Sequence, residues 1–313
     1  MNDSLQAGVP MDIPDQMFEK LPPARKEAEE TVRPSESFLK SALRKYRSNP
    51  FAMAGLVILV LFALLSLAGP LISPYTYDGQ NIAHQNQFPS AGHIFGTDKF
   101  GRDIFVRVLY GMRISLTIGF VTAVINCVLG VIIGGIAGYF GGVDMIIMRI
   151  IDVLTSVPSM LYMILIMVIM GNSVRSILLA LCITYWISTA RIVRSQVLTL
   201  KNQEYVLAAR VLGASNSRIL FRHLIPNSLG PILITVSYII PSAIFSEAFL
   251  SFLGIGIQAP MASLGTLVND AIPQMFGWPY QMLFPVMAIV ITMFALNFIC
   301  DGLRDAFDTR LSQ

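Results

Sequence analysis

Charge is scarce in this sequence. Only 13% of its 313 residues are Asp, Glu, Lys or Arg, 54% are apolar, and the mean hydropathy is +0.65. So little polar surface cannot coat a water-soluble globule of this length, so most of the chain is expected in a lipid bilayer. The formal net charge is only +3 and the basic residues are scattered, which excludes the cationic patch that nucleic-acid binding requires. Cysteine is rarer still. Cys127, Cys182 and Cys300 each lie in an apolar run, with no C-x-x-C and no neighbouring His, and read as small core residues. His84, His93 and His223 are far apart in the chain and do not point to a metal site. None of the six lysines follows a glycine. No G-x-x-x-x-G-K-[ST] phosphate loop therefore exists, and an autonomous ATP-driven pump is excluded. H-E-x-x-H and G-x-S-x-G are also missing, which argues against an enzyme. No secretory signal peptide is apparent, because the first apolar run is too long for one.

What is present is a succession of long uncharged stretches. Residues 1–35 mix acids, bases and prolines without hydrophobic period, the composition of a disordered cytoplasmic tail. Residues 36–50 set Phe38, Leu39, Ala42, Leu43 and Tyr46 opposite Lys40, Arg44, Lys45 and Arg47, as an interfacial amphipathic helix does. Membrane spans are predicted over 51–73, 114–140, 150–170, 174 to about 194, 226 to about 253 and 283–300; the first, at about 1.5 Å per residue, is long enough to cross roughly 30 Å of hydrocarbon. The fold class expected is all-α, polytopic, with six transmembrane helices. Gly119, Gly130, Gly134, Gly135 and Gly138 suggest a small-residue seam in the second span. Residues 254–282, rich in Gly, Pro and aromatics, read as an interfacial or re-entrant loop.

An even number of spans puts both termini on one side. Arg149, Arg191, Arg194, Lys201, Arg210, Arg218, Arg222, Arg304 and Arg310 share the face of the basic leader, which the positive-inside rule makes cytoplasmic. The loop over 74–113, placed outside, is the exception: Lys99, Arg102, Arg107 and Arg113 outnumber Asp78, Asp98 and Asp103. The remainder, 114–305, forms a core of five spans, and 306–313 is a cytoplasmic C-terminus.

Between the fourth and fifth spans, residues 198–225 are too few for a domain and too charged for lipid. Good helix formers from Glu204 to Leu212, a break at Gly213 and a capping Ser215 predict a helix, break, helix elbow that fits a groove on another protein. Here the sequence resembles the type I membrane subunits of ATP-binding-cassette importers, whose coupling loop reads E-A-A-x3-G-x9-I-x-L-P. This chain has Leu207-Ala208-Ala209, three residues, Gly213, nine residues, then His223-Leu224-Ile225-Pro226. Leu207 replaces the motif Glu and His223 its Ile, while Glu204 supplies an acid one turn earlier. F-G-T-D-K-F-G-R-D from Phe95, G-Y-F-G-G from Gly138, L-S-F-L-G-I-G from Leu250 and D-G-L-R-D-A-F-D from Asp301 are similar to the C-type oligopeptide, dipeptide and nickel permeases. At Ser263-Leu264-Gly265 the chain departs from relatives that carry Trp before the Gly.

The resemblance implies a MetI-like permease fold in the bacterial cytoplasmic (inner) membrane. It implies ATPase coupling through Glu204, Ala208, Ala209, Arg210, Gly213, Arg218, Arg222, His223 and Pro226. Partners would be a second homologous permease, two ABC ATPase subunits or domains that hold ATP and Mg, an extracytoplasmic solute-binding protein and membrane lipid. No cofactor is expected on this chain. Gly213 is expected to allow close backbone approach at the elbow.

Glu247, inside an apolar span, is a candidate for the pathway or outer gate, with helix packing as the structural alternative. Arg149 and Asp152 are spaced to pair on one helix. Asp301, Arg304, Asp305 and Asp308 read as a solvated helix end. The competing function is an ion-coupled secondary transporter, which also uses broken helices and a buried acid. An importer for nickel or another small solute is the other alternative.

Overall fold

The computed structural model describes residues 38–307. The expected tail over 1–35 and residues 308–313 of the C-terminal segment, with Asp308 and Arg310, lie outside the described residues. The chain divides into Met1–Ser41 and Ala42–Gln313. Of the first unit only the opening residues of α1 (Phe38–Ser48) are described, with Lys40 and Ser41 exposed.

In the second unit, Ala42 and Tyr46 of α1 pack with Ala52 and Ala306. Helix α2 (Pro50–Ile72) starts where Asn49 Oδ1 accepts from the Phe51 and Ala52 N–H groups at 3.1 and 3.2 Å, with Pro50 in the first turn. Helix α3 (Ile104–Tyr139) has 36 residues. At 1.5 Å each it is about 54 Å long and overshoots a 30 Å hydrocarbon core. The sequence placed its start at Ile114, and residues 104–113 in a loop. Asp103 instead caps the helix by accepting from Val106 N–H at 2.9 Å, and of the two cations in the segment Arg107 is buried against Asp98 at 2.5 Å while Arg113 is exposed.

The single span expected over 150–170 is corrected to two helices, α4 (Gly141–Ser156) and α5 (Ser159–Met170), bent by 84°. Pro158 has no N–H to continue the ladder and forces Val157 into extended backbone (φ −101°, ψ 132°). Then follow α6 (Val174–Leu200), the short α7 (Glu204–Val211) and α8 (Asn216–Ile219), α9 (Leu229–Phe252), α10 (Leu264–Ala271) and α11 (Tyr280–Phe307). Among the described residues five helices are long and apolar enough to cross a membrane, and the bent pair makes six. The fold is an all-α polytopic bundle.

The largest helix pair is α3 on α6. A Cβ on Gly134 would lie under 3.0 Å from the Ala190 backbone, and one on Gly138 would meet Arg194 O and Val197 Cβ at 2.8 Å. Gly130, Gly134 and Gly138, four residues apart, therefore let the two backbones touch. Gly119 serves α9 instead, meeting Ile244, and Gly135 leaves ordinary space. Helix α2 packs on α11 and α3, and α9 packs on α3, α6 and α11.

The segment between α2 and α3 folds as a polar cap. Asp98 accepts from the backbone N–H of Phe100 and Arg102, from Arg102 Nε at 2.7 Å and from Arg107 Nη1 at 2.5 Å. Asp270 of α10 stands 3.6 and 3.4 Å from the same two guanidiniums. Tyr280 Oη donates to Thr97 O at 3.2 Å, and Gln281 Nε2 to Asn86 Oδ1 at 2.8 Å. Much of the cationic excess that broke the charge rule is thus neutralised inside the cap. The 254–282 loop contains α10, opened by a reciprocal Ser263–Thr266 capping box.

Candidate functional site

The elbow is built on the end of α6. Glu204 opens α7, where an acid suits the positive end of the helix dipole. Val206 is its buried residue, packed with Val193, Val197, Ile219, Leu220, Leu224 and Ile232. Gly213 ends the turn at φ +81°, with its N–H on Arg210 O at 3.0 Å and Ala214 N–H on Ala209 O at 3.0 Å. Ser215 caps α8 by accepting from Arg218 N–H. A π-helical turn, Leu220–Leu224, and a short turn over Ile225–Asn227 lead into α9. Two side chains tie the elbow to α3: Tyr139 Oη donates to Asn216 Oδ1 at 2.8 Å, and Lys201 Nζ to Gly138 O at 3.1 Å. The base is therefore fixed while the tip is bare. Val211 is 88% and Leu212 86% exposed, and Leu207, Tyr205 and Phe221 are exposed beside them.

A second feature is a cavity of about 990 Å³ bounded by the α4–α5 break, α6, α9 and the end of α11. Its wall carries Pro158, Tyr162, Tyr185, Arg191, Tyr238 and Arg304. Tyr185 Oη donates to Ser242 O at 2.9 Å and lies 2.8 Å from Ser246 Oγ. Tyr238 Oη donates to Asp301 Oδ1 at 2.6 Å. Arg191 Nη2 donates to Thr155 Oγ1 at 3.2 Å and meets Asp152 Oδ1 at 3.5 Å.

The sequence of this bundle has relatives among known proteins. Residues 105–313 match the family model described as binding-protein-dependent transport system inner membrane component. Residues 37–89 match the N-terminal transmembrane domain of oligopeptide transport permease C. The chain belongs to this family of binding-protein-dependent membrane permeases. The permease is 49% identical over 300 residues to the oligopeptide transport system permease protein OppC of Bacillus subtilis, covering 96% of this chain and 98% of that one. It is 46% identical to the dipeptide transport system permease protein DppC of the same organism, over 96% and 94% of the two chains. With OppC of Escherichia coli it shares 42% identity over 88% of this chain and 92% of the other. The permease is a transport component of the membrane.

The expected coupling residues fall together on the elbow. Glu204, Ala208, Arg210, Gly213, Arg218, Arg222 and Pro226 are exposed, and Ala209 and His223 are partly covered. Gly213 sits in the left-handed region, where glycine is favoured, and a Cβ there would meet nothing within 4 Å among the described residues, so the open side of the elbow faces away from its own chain. Glu247 is fully buried and does not line the cavity. Ser115 Oγ donates to it at 2.7 Å and Ser251 Oγ at 2.8 Å, which joins α3 to α9 and fits the packing alternative.

Arg149 and Asp152 do not form the expected pair. Arg149 is exposed, and Asp152 turns to Arg191 on α6 instead. Arg194 clamps Asp144 of α4 through Nε at 2.5 Å and Nη2 at 2.6 Å. The Asp301 cluster is engaged too, Asp301 by Tyr238 and Asp305 by Asn49 Nδ2 at 3.4 Å. His84 and His93 meet with ring centroids 5.9 Å apart, His93 Nδ1 lying 2.8 Å from Asp103. Val211 and Leu212 are not among the expected coupling residues, although two large apolar residues just before a Gly in a charged loop are a signal. The cavity tyrosines carry none, because inside an apolar span nothing local says which face is open.

Proposed function

We propose that the permease is the C-type membrane subunit of an ATP-binding-cassette importer for oligopeptides or dipeptides. The observation that carries this is the elbow: an apolar tip, Val211 and Leu212, exposed to 88% and 86%, on a base held by packing and hydrogen bonds. Such a tip is not covered by any of the described residues and suits the groove of a cytoplasmic ATPase. The peptide substrate is carried over from the oligopeptide and dipeptide permeases it resembles, whose length the chain matches almost completely.

In this reading the elbow residues from Glu204 to Pro226 transmit ATPase closure to α6 and α9, and the cavity forms half of the pathway. A second, homologous permease supplies the other half, and a solute-binding protein delivers cargo to the face carrying the polar cap. ATP and Mg sit on the two ATPases. Both termini are cytoplasmic, with α1 on the inner surface of the bacterial cytoplasmic membrane. Glu247 is a packing group between helices.

The test replaces Leu212 by Asp in a tagged permease expressed with its neighbours. Wild type is expected to recover a second permease and P-loop ATPases from detergent, and the variant to lose the ATPases while keeping the second permease and its own thermal midpoint. Equal ATPase recovery from both would refute docking at the tip. ATP-independent uptake by the chain alone would refute the importer.

A further inference from the structure

The charge on the cavity wall is one-sided. Of the side chains that line it only Arg191 and Arg304 are charged, and no carboxylate is among them. The remaining wall is tyrosine, serine, threonine and aliphatic. Arg191 is only partly committed. Both of its contacts leave from Nη2, and Nε and Nη1 make no hydrogen bond among the described residues. Its acid, Asp152, is at 3.5 Å with both side chains about half exposed, so the pairing is weak. Arg304 is exposed and forms no ion pair among the described residues; its side chain contacts the Tyr238 hydroxyl, which also donates to the nearby Asp301.

We propose that Arg191 and Arg304 form an anion subsite that takes the free carboxylate of the solute. This rests on the reading of the cavity as half of the pathway. A guanidinium offers five N–H donors in a planar fork that matches a carboxylate with two parallel hydrogen bonds. The low-dielectric wall focuses the field of the two cations on whatever occupies the space between α6 and α11. The volume, about 990 Å³, is at the upper end of small-ligand sites, which run to about 1,000 Å³. It leaves room for side chains beside Tyr162, Tyr185 and Tyr238. With no acid on the wall, the subsite reads the carboxyl end of a peptide and leaves its amino end to other surfaces.

The test uses the complete importer, both permeases with their ATPases, in detergent without nucleotide and without the binding protein. Tritiated alanyl-phenylalanine is the probe, displaced by the unlabelled dipeptide or by its C-terminal amide. Wild type is expected to favour the acid over the amide by about tenfold, the worth of one charge-assisted hydrogen-bond pair. The double variant Arg191→Gln, Arg304→Gln should bring that ratio to about one, while Arg191→Lys alone should keep part of it. Recovery of the ATPases and the thermal midpoint show that each variant is assembled. Three results would overturn the subsite: no binding of the probe to wild type at millimolar concentration, no preference for the acid in wild type, or a preference that survives in the double variant. Equal weakening of acid and amide would place the arginines on lipid phosphate or helix packing and also overturn it. Parallel ATP-dependent uptake in proteoliposomes separates these results from failure of the importer reading, in which wild type transports no peptide.

Discussion

Replacing Asp98 by Asn tests whether the polar cap is held by charge. The Asp98 carboxylate accepts four hydrogen bonds, two from backbone N–H groups to Oδ1 and two from the Arg102 and Arg107 guanidiniums to Oδ2. Asparagine keeps an Oδ1 for the backbone pair but faces the two guanidiniums with a neutral amide. Arg102 is 5% and Arg107 2% exposed, so neither can turn to water. Breaking a buried pair on one side costs about 3–5 kcal/mol. That corresponds to a fall on the order of 10 °C in thermal midpoint. Asp270→Asn is the comparison. Its side chain is 41% exposed and 3.4 Å or more from either guanidinium, so it should cost about 1 kcal/mol or less. Thermal unfolding of the assembled complex in detergent, followed by tryptophan fluorescence, reads both. A midpoint for Asp98→Asn within about 2 °C of wild type, or equal losses for the two variants, would refute the assignment of the cap's stability to Asp98.

Other outcomes follow from the same packing. Gly134→Val should cost at least about 1–3 kcal/mol by driving α3 off the Ala190 backbone, whereas Gly135→Ala should be neutral within about 0.5 kcal/mol; a matched pair of thermal midpoints decides it. Glu247→Gln should keep peptide uptake near wild type and Glu247→Ala should lose about 2–4 kcal/mol of stability, and a large uptake defect in the Gln variant would return Glu247 to the pathway. Gly213→Ala places a Cβ on a left-handed residue at a cost of about 1–2 kcal/mol, so ATPase recovery should drop severalfold, with Gly213→Asn in between. Asn49→Ala should lower the midpoint by the equivalent of about 1 kcal/mol through the lost cap of α2.

Much of this was legible from residue order. An uncharged stretch such as 51–73 must be helical in lipid because no other conformation satisfies its backbone there. The elbow was readable for a similar local reason: Gly213 and Ser215 set the break and the cap through their own backbone and side-chain chemistry. Pro158 carried a local signal too, but the apolar run around it concealed the bend. By contrast, the early start of α3 was hidden by Arg107 and Arg113, since cations bound an apolar span until it is known that one of them, Arg107, is neutralised by Asp98.

The sequence by itself determined that the chain is a membrane bundle, roughly where its helices run and where a polar elbow interrupts them. These depend on hydrophobicity, proline and glycine, which act within a few residues of themselves. Tertiary structure alone decided which charges are cancelled, that Glu247 is sealed between α3 and α9, and that Arg191 and Arg304 share one wall with three tyrosines. Those properties depend on distances between residues far apart in the chain, and only the packing of α3 on α6 and of α9 on both sets them.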